Sequence, residues 1–277
     1  MPYFQHESVR IYWESLGEGE PIAFLNGVLM TVDSWKLQTH EISGRFRCVM
    51  HDFRGQLRSS KPDEPWSLED HARDLVALLD HLGIEKCHVV GTSYGGEVGM
   101  ILAAMWPERV RSLTVIASAS ELGPDTERIV IDWRRAALEA PMTLYRTMLP
   151  TTFSPVFVAA NPALIELGEE RLRSCDDDFF TAFAGLIDAF RELDITPRLH
   201  EIRCPALIIA GEMDLVAIRQ GLFLIGFQVV AEVVQAVLAH TLDMPAQVFE
   251  RFEGVHCRVA NKRREQGQHV AELCLPG

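Results

Sequence analysis

Several features are scarce in this sequence, and each scarcity removes a class of function. The six cysteines (Cys48, Cys87, Cys175, Cys204, Cys257 and Cys274) include no Cys-x-x-Cys pair, and no cluster of metal-ligating residues stands out. Cys48, Cys87 and Cys204 lie in or beside apolar strand-like runs, which fits reduced, buried thiols in a cytosolic protein. Residues 1–14 contain no apolar signal-peptide core. The longest apolar stretch, residues 222–239, is interrupted by Gln228, Glu232 and Gln235, so no membrane span is expected. Basic charge is also scarce. With a formal net charge of −13, neither nucleic acid nor an anionic membrane surface is an expected partner.

What is present is a large apolar fraction. Of the 277 residues, 48% are hydrophobic and 23% charged, enough to bury a sizeable core and too apolar for a disordered chain. The early part alternates short strand-like and helix-like patterns. Val9-Arg10-Ile11-Tyr12-Trp13-Glu14 alternates, Gly17-Glu18-Gly19-Glu20 turns, and Pro21-Ile22-Ala23-Phe24-Leu25 reads as a buried strand. Trp35 and Leu37 begin a short helix, and Phe46-Arg47-Cys48-Val49-Met50 is the next strand. Ser67-Leu68-Glu69-Asp70 carries a capping signal for a helix whose apolar residues, from Ala72 to Leu82, recur at helical spacing. Such alternation implies parallel βαβ units.

The pattern changes after Ser120. Residues 125–197 read as helical, with breaks at Pro141, Pro150, Pro155 and Pro162, and no strand run interrupts them. Strand patterning resumes with Cys204-Pro205-Ala206-Leu207-Ile208-Ile209-Ala210-Gly211. The expected organisation is a core of residues 1–120 and 198–277 carrying a helical cap of residues 121–197. Asp176-Asp177-Asp178 reads as an acidic helix start and not as a metal site.

The most informative stretch runs Gly91-Thr92-Ser93-Tyr94-Gly95-Gly96. Gly91 and Gly95 flank Ser93 in the Gly-x-Ser-x-Gly pattern of a nucleophile elbow, a tight strand-to-helix turn that exposes the serine hydroxyl. Chance produces such a pattern on the order of once in ten or more chains. Its weight comes from its context, an apolar run before it and a helix rich in small residues after it. A second candidate is Asn26-Gly27-Val28-Leu29-Met30, a loop leaving the carboxyl end of a strand where backbone N–H groups can face an oxyanion.

Taken together, Phe24-Leu25-Asn26-Gly27, Asp52-Phe53-Arg54-Gly55 with Ser59, the Ser93 elbow and Gly211-Glu212-Met213-Asp214 resemble the α/β-hydrolase fold superfamily. Within it they are similar to cap-bearing esterases and lactonases of the 3-oxoadipate enol-lactonase type. The resemblance implies an α/β fold with a mostly parallel central sheet flanked by helices and an inserted helical cap. It makes Ser93 the nucleophile, the N–H groups of Val28 and Tyr94 the oxyanion hole, and Asp214 the residue that orients the catalytic histidine. Leu57 stands where the family usually has glycine.

For the base, the family order of nucleophile, acid and histidine points to His240, followed by Pro245. The stretch before it, Val229 to Leu238, reads as strand or as helix. His256 is the second candidate, in a polar, basic tail unlike the family. His51 and His88 sit at strand positions and His71 and His81 on a helix, as structural residues.

The expected chemistry is acyl transfer. Ser93 attacks an ester or lactone carbonyl, His240 takes its proton, Asp214 fixes the imidazole tautomer, and water deacylates the enzyme. The expected partner is a small-molecule ester or lactone, with no cofactor and no metal. The sequence leaves homo-oligomerisation open. Three rival readings are a cofactor-free perhydrolase or haloperoxidase-like activity, a carbon–carbon bond hydrolase, and a binding protein whose Ser93 no histidine reaches.

Overall fold

The computed structural model describes residues 3–211, 255–260 and 271–273, and for the residues from 210 onward the backbone only. Asp214 and His240 lie outside the described residues, as does the stretch before His240. The described strands form one nine-stranded sheet, in the order β1-β2-β4-β3-β5-β6-β7-β8-β9. They are β1 (Tyr3–His6), β2 (Val9–Leu16), β3 (Glu20–Leu25), β4 (Phe46–His51), β5 (Cys87–Thr92), β6 (Val110–Ile116), β7 (Ala206–Gly211), β8 (Val255–Ala260) and β9 (Ala271–Leu273). The central pairs β4–β3, β3–β5, β5–β6 and β6–β7 are parallel. Antiparallel strands extend the sheet at both ends. The fold is therefore the mostly parallel, helix-flanked sheet that the residue pattern implied.

Burial explains the runs of apolar residues. Ala23, Leu25, Val89 and Val115 join one core cluster, whereas Ile22, Phe24, Val90 and Ile116 join another on the opposite face. A strand covered on both faces loses the hydrophobic–polar alternation that a half-exposed strand keeps. Each such buried Val, Leu, Ile or Phe side chain contributes roughly 1.5–3 kcal/mol relative to exposure. Helix α1 (Lys36–Ile42) belongs to the second face, and α2 (Leu68–His81) with α3 (Tyr94–Met105) to the first. Ser67 and Asp70 form a reciprocal capping box at the start of α2.

Two strand-level expectations need amendment. Tyr12 is buried and not outward-facing, because Arg58 stacks on its ring and Glu14 accepts its hydroxyl. The tail, polar and basic as a whole, contributes β8 and β9; within it Val255, Cys257 and Val259 alternate with His256 and Arg258, a strand pattern that the composition of the tail concealed.

Between β6 and β7 lie α4 (Pro124–Glu139), α5 (Leu144–Thr152), α6 (Pro155–Ala160), α7 (Pro162–Arg173) and α8 (Asp177–Arg191). The segment leaves and returns at one place. A bridge pairs Glu121 with Asp194, and Ile195 N–H donates to the Ser120 carbonyl at 2.8 Å. Asp176 caps α8 by accepting from Phe179 N–H at 2.9 Å, so the triple aspartate is a helix start. Pro141, Pro155 and Pro162 open helical turns, but Pro150 lies inside α5 and does not break it. It removes one N–H from the ladder of a helix that ends two residues later, at Thr152. Among the described residues, no helix is long and apolar enough to cross a membrane.

Candidate active site

Ser93 sits between β5 and α3 with φ 50° and ψ −125°, a conformation L-residues rarely adopt. The surroundings leave it little alternative. Its N–H donates to the Ile116 carbonyl at 2.7 Å, and its own carbonyl accepts from Gly96 N–H at 2.7 Å and from the Ser118 hydroxyl at 2.8 Å. The two flanking glycines are steric requirements. A Cβ on Gly91 would lie 2.6 Å from Gly96 N, and one on Gly95 would lie 2.8 Å from the Asn26 carbonyl oxygen, with still closer backbone atoms in both cases. Ser93 is half-buried, and among the described residues no side chain hydrogen-bonds its hydroxyl.

Tyr94 is the first residue of α3, so its N–H lies among the unsatisfied donors at the positive end of a 12-residue helix. Its ring is fully buried. The hydroxyl meets His71 Nε2 of α2 at 2.8 Å, an interaction the sequence did not reveal because 23 residues separate the pair. Burial pushes the His71 imidazole down to about 3 and that of His51 down to about 4, so both stay neutral at pH 7. Neither is a competent proton shuttle at that pH.

Val28 follows β3, the strand beside β5, where Leu25 is opposite Gly91. The Gly27 carbonyl accepts from Met30 N–H at 3.0 Å and from Gln56 Nε2 at 2.8 Å. No acceptor for the N–H of Val28 or Tyr94 occurs among the described residues. The parallel arrangement brings Val28, Ser93 and Tyr94 to the carboxyl edge of the sheet, on loops from two adjacent strands.

The Asp52–Ser59 motif is a brace. The Ser59 hydroxyl donates to the Asp52 carbonyl at 2.6 Å and accepts from Tyr12 N–H at 2.9 Å. Arg54 makes a two-pronged bond to Asp74 of α2, at 2.7 and 2.8 Å. The left-handed position of this turn is occupied by Gly55, with φ 81°, and Leu57 needs no positive φ. Leucine in place of the usual glycine is therefore tolerated and simply leaves its side chain partly exposed.

Glu97, one turn beyond Ser93, escaped the sequence reading. It is 1% exposed; one carboxyl oxygen accepts from Ala119 N–H at 3.3 Å, and the other has no partner among the described residues. Burial pushes it up to about 8, so it is largely protonated at neutral pH. Its sequence signal was weak, a single charged residue in a run of small and apolar ones.

Two spaces adjoin α8. A small pocket beside Val28, Leu29 and Gln56 is closed by Phe179, Phe183 and Leu186. On the other side of the helix, a cleft of about 810 Å³ runs between the 61–69 loop, α4 and α8, and none of Val28, Ser93 or Tyr94 reaches it.

A parallel sheet with helices on both faces and a strained serine at a strand-to-helix turn defines an α/β hydrolase architecture. The chain belongs to the alpha/beta hydrolase fold family, whose model matches residues 20–159. It is 31% identical to a putative carbamate hydrolase RutD of Azorhizobium caulinodans over 77% of this chain and 81% of that protein. It is 28% identical to 3-oxoadipate enol-lactonase 2 of Acinetobacter baylyi, over 79% of this chain and 81% of that one. Among solved structures, the enol-lactonase from Burkholderia xenovorans superposes with a TM-score of 0.71 at 26% identity, covering 78% and 83% of the two chains.

Proposed function

We propose that this chain is a serine hydrolase that cleaves a carboxylic ester or lactone through an acyl-enzyme on Ser93. The observation that carries the reading is the strained Ser93 backbone, held between two glycines that tolerate no Cβ. Such strain persists only where the surrounding structure over-determines it, and it aims the hydroxyl outward. Attack on the carbonyl converts its oxygen to an oxyanion, which the Val28 and Tyr94 N–H groups stabilise. His240 removes the Ser93 proton and returns it to the leaving alcohol; Asp214 holds the imidazole and stabilises its cation. A water molecule then deacylates the enzyme with His240 again as base.

Residues 121–197 act as the cap over a core of residues 1–120 and 198–277. In support, the excursion contains only helices and closes on itself at Glu121–Asp194. The relatives' names extend the substrate panel to carbamates, whose carbonyl the same serine would attack.

A panel of p-nitrophenyl esters, lactones and carbamates tests the reading, together with covalent labelling by a fluorophosphonate. The wild type should turn over members of the panel and carry the label on Ser93. Ser93→Ala should lose labelling and at least about 1,000-fold in turnover with its fold intact, and His240→Ala should lose a comparable factor. A folded Ser93→Ala variant with near-wild-type turnover would end the serine-hydrolase reading. Unchanged turnover in His240→Ala would remove that residue as the base.

A further inference from the structure

A peptide group is planar and trans, so its carbonyl and the following N–H point in opposite directions. Anything that grips the Gly27 carbonyl therefore aims the Val28 N–H. Two donors grip that carbonyl: the Met30 N–H of the same turn, at 3.0 Å, and from outside the turn Gln56, only 2% exposed, whose Nε2 donates to the Gly27 carbonyl at 2.8 Å and, at the longer distance of 3.4 Å, to that of Val28.

Gln56 is itself held in one orientation. Its Oε1 accepts from Phe53 N–H at 3.0 Å and from Asn26 Nδ2 at 3.0 Å. Asn26, 0% exposed, accepts at Oδ1 from the Trp35 indole N–H at 2.8 Å and donates from Nδ2 to the His51 carbonyl at 3.0 Å. A backbone N–H and an indole N–H can only donate, so they decide which end of each amide is oxygen. Neither amide can turn over without leaving buried groups unpaired. The chain Trp35–Asn26–Gln56–Gly27 is thus a relay of orientation ending at the Val28 N–H.

We propose that Gln56 is the positioning residue for the Val28 oxyanion donor, acting through the Gly27–Val28 peptide plane and locked by Asn26 and Trp35. The proposal rests on the serine-hydrolase reading above and deepens it. Because the Val28 N–H meets charge that develops only as the tetrahedral intermediate forms, losing its aim lowers kcat and leaves substrate binding alone.

The test compares wild type, Gln56→Met and Gln56→Glu on one activated ester, with folding followed by near-UV circular dichroism. Methionine keeps the length and removes the donor. Glutamate keeps the shape and the Oε1 acceptor, and once ionised it puts an oxygen opposite the Gly27 carbonyl, so its kcat is followed across the pH range in which a buried carboxyl gives up its proton. The expected result is a fall in kcat of roughly 10- to 100-fold, smaller than removal of a whole oxyanion donor, with KM within about twofold. Should Gln56→Met fail to fold, Gln56→Glu carries the comparison. If folded Gln56→Met, or folded Gln56→Glu once ionised, keeps kcat within twofold, or loses only KM, the positioning role is overturned while the hydrolase reading stands. If both variants unfold, Gln56 is a core support and the proposal is likewise overturned. A wild type that neither turns over the panel nor accepts fluorophosphonate overturns the hydrolase reading first.

Discussion

Two turns leave neighbouring parallel strands at the same edge of the sheet, and they are held by opposite means. The β5 turn at Ser93 is fixed mainly by main-chain approach that glycine alone permits, with the Ser118 hydroxyl added on the Ser93 carbonyl. The β3 turn at Gly27–Val28 is fixed from outside, by side-chain amides and an indole that reach it from residues 35 and 56. Main-chain sterics tolerate no substitution but depend little on side-chain partners. A relay of amides needs each partner, yet it degrades by steps.

That contrast can be broken at the elbow first. Gly95→Ala forces a Cβ against the Leu25 and Asn26 carbonyls, which are main-chain groups at the end of β3 and cannot move aside as a side chain would. The expected loss is about 3 kcal/mol or more in denaturant unfolding, or failure to fold. Stability within 1 kcal/mol of wild type would mean the turn has slack that its geometry denies. On the other turn, Asn26→Leu strands the Trp35 indole N–H and the His51 carbonyl, for an expected loss of about 2 kcal/mol by the same measurement.

The smallest effect lies beneath the elbow. Glu97 titrates near 8 when folded and near its ordinary 4.5 when unfolded. The unfolded chain thus releases this proton first as pH rises. The stability it contributes is full below about 4.5 and declines as pH rises towards 8. The neutral imidazoles of His51 and His71 work in the opposite sense, below their ordinary 6.5. Between about pH 6.5 and 8 the fall in melting temperature should therefore be shallower in Glu97→Gln than in wild type. Identical slopes would mean Glu97 is ionised or solvated in the fold.

The same contrast explains what the sequence made legible. The elbow could be read because all its determinants fall between Gly91 and Gly95, within a pattern that has a single steric meaning. The parallel sheet was legible for a related reason, since uninterrupted apolar runs record burial on both faces. The Gln56 relay was not. Asn26, Trp35 and Gln56 are unremarkable polar or aromatic residues in sequence, and only the pairing of β3 beside β4 and β5 brings them together. Tyr94 with His71 repeats the lesson across 23 residues. Pro150 shows the reverse error, a strong local rule that predicted a break where the helix instead runs on to Thr152 before it ends.

Helix α8 is a party wall. Phe179, Phe183 and Leu186 look onto the pocket beside Val28, whereas Thr181, Gly185 and Asp188 look onto the cleft beyond. With 3.6 residues per turn, the two sets interleave along one chain without sharing a position. Trp66 rests on Gly185 and Gly55 alike, so helix and core cannot draw closer at that point. Room on one side of the wall is therefore traded against room on the other: a sideways shift of α8 that enlarges the pocket narrows the cleft. Mutation can redecorate either side separately, but movement of the wall remodels both at once.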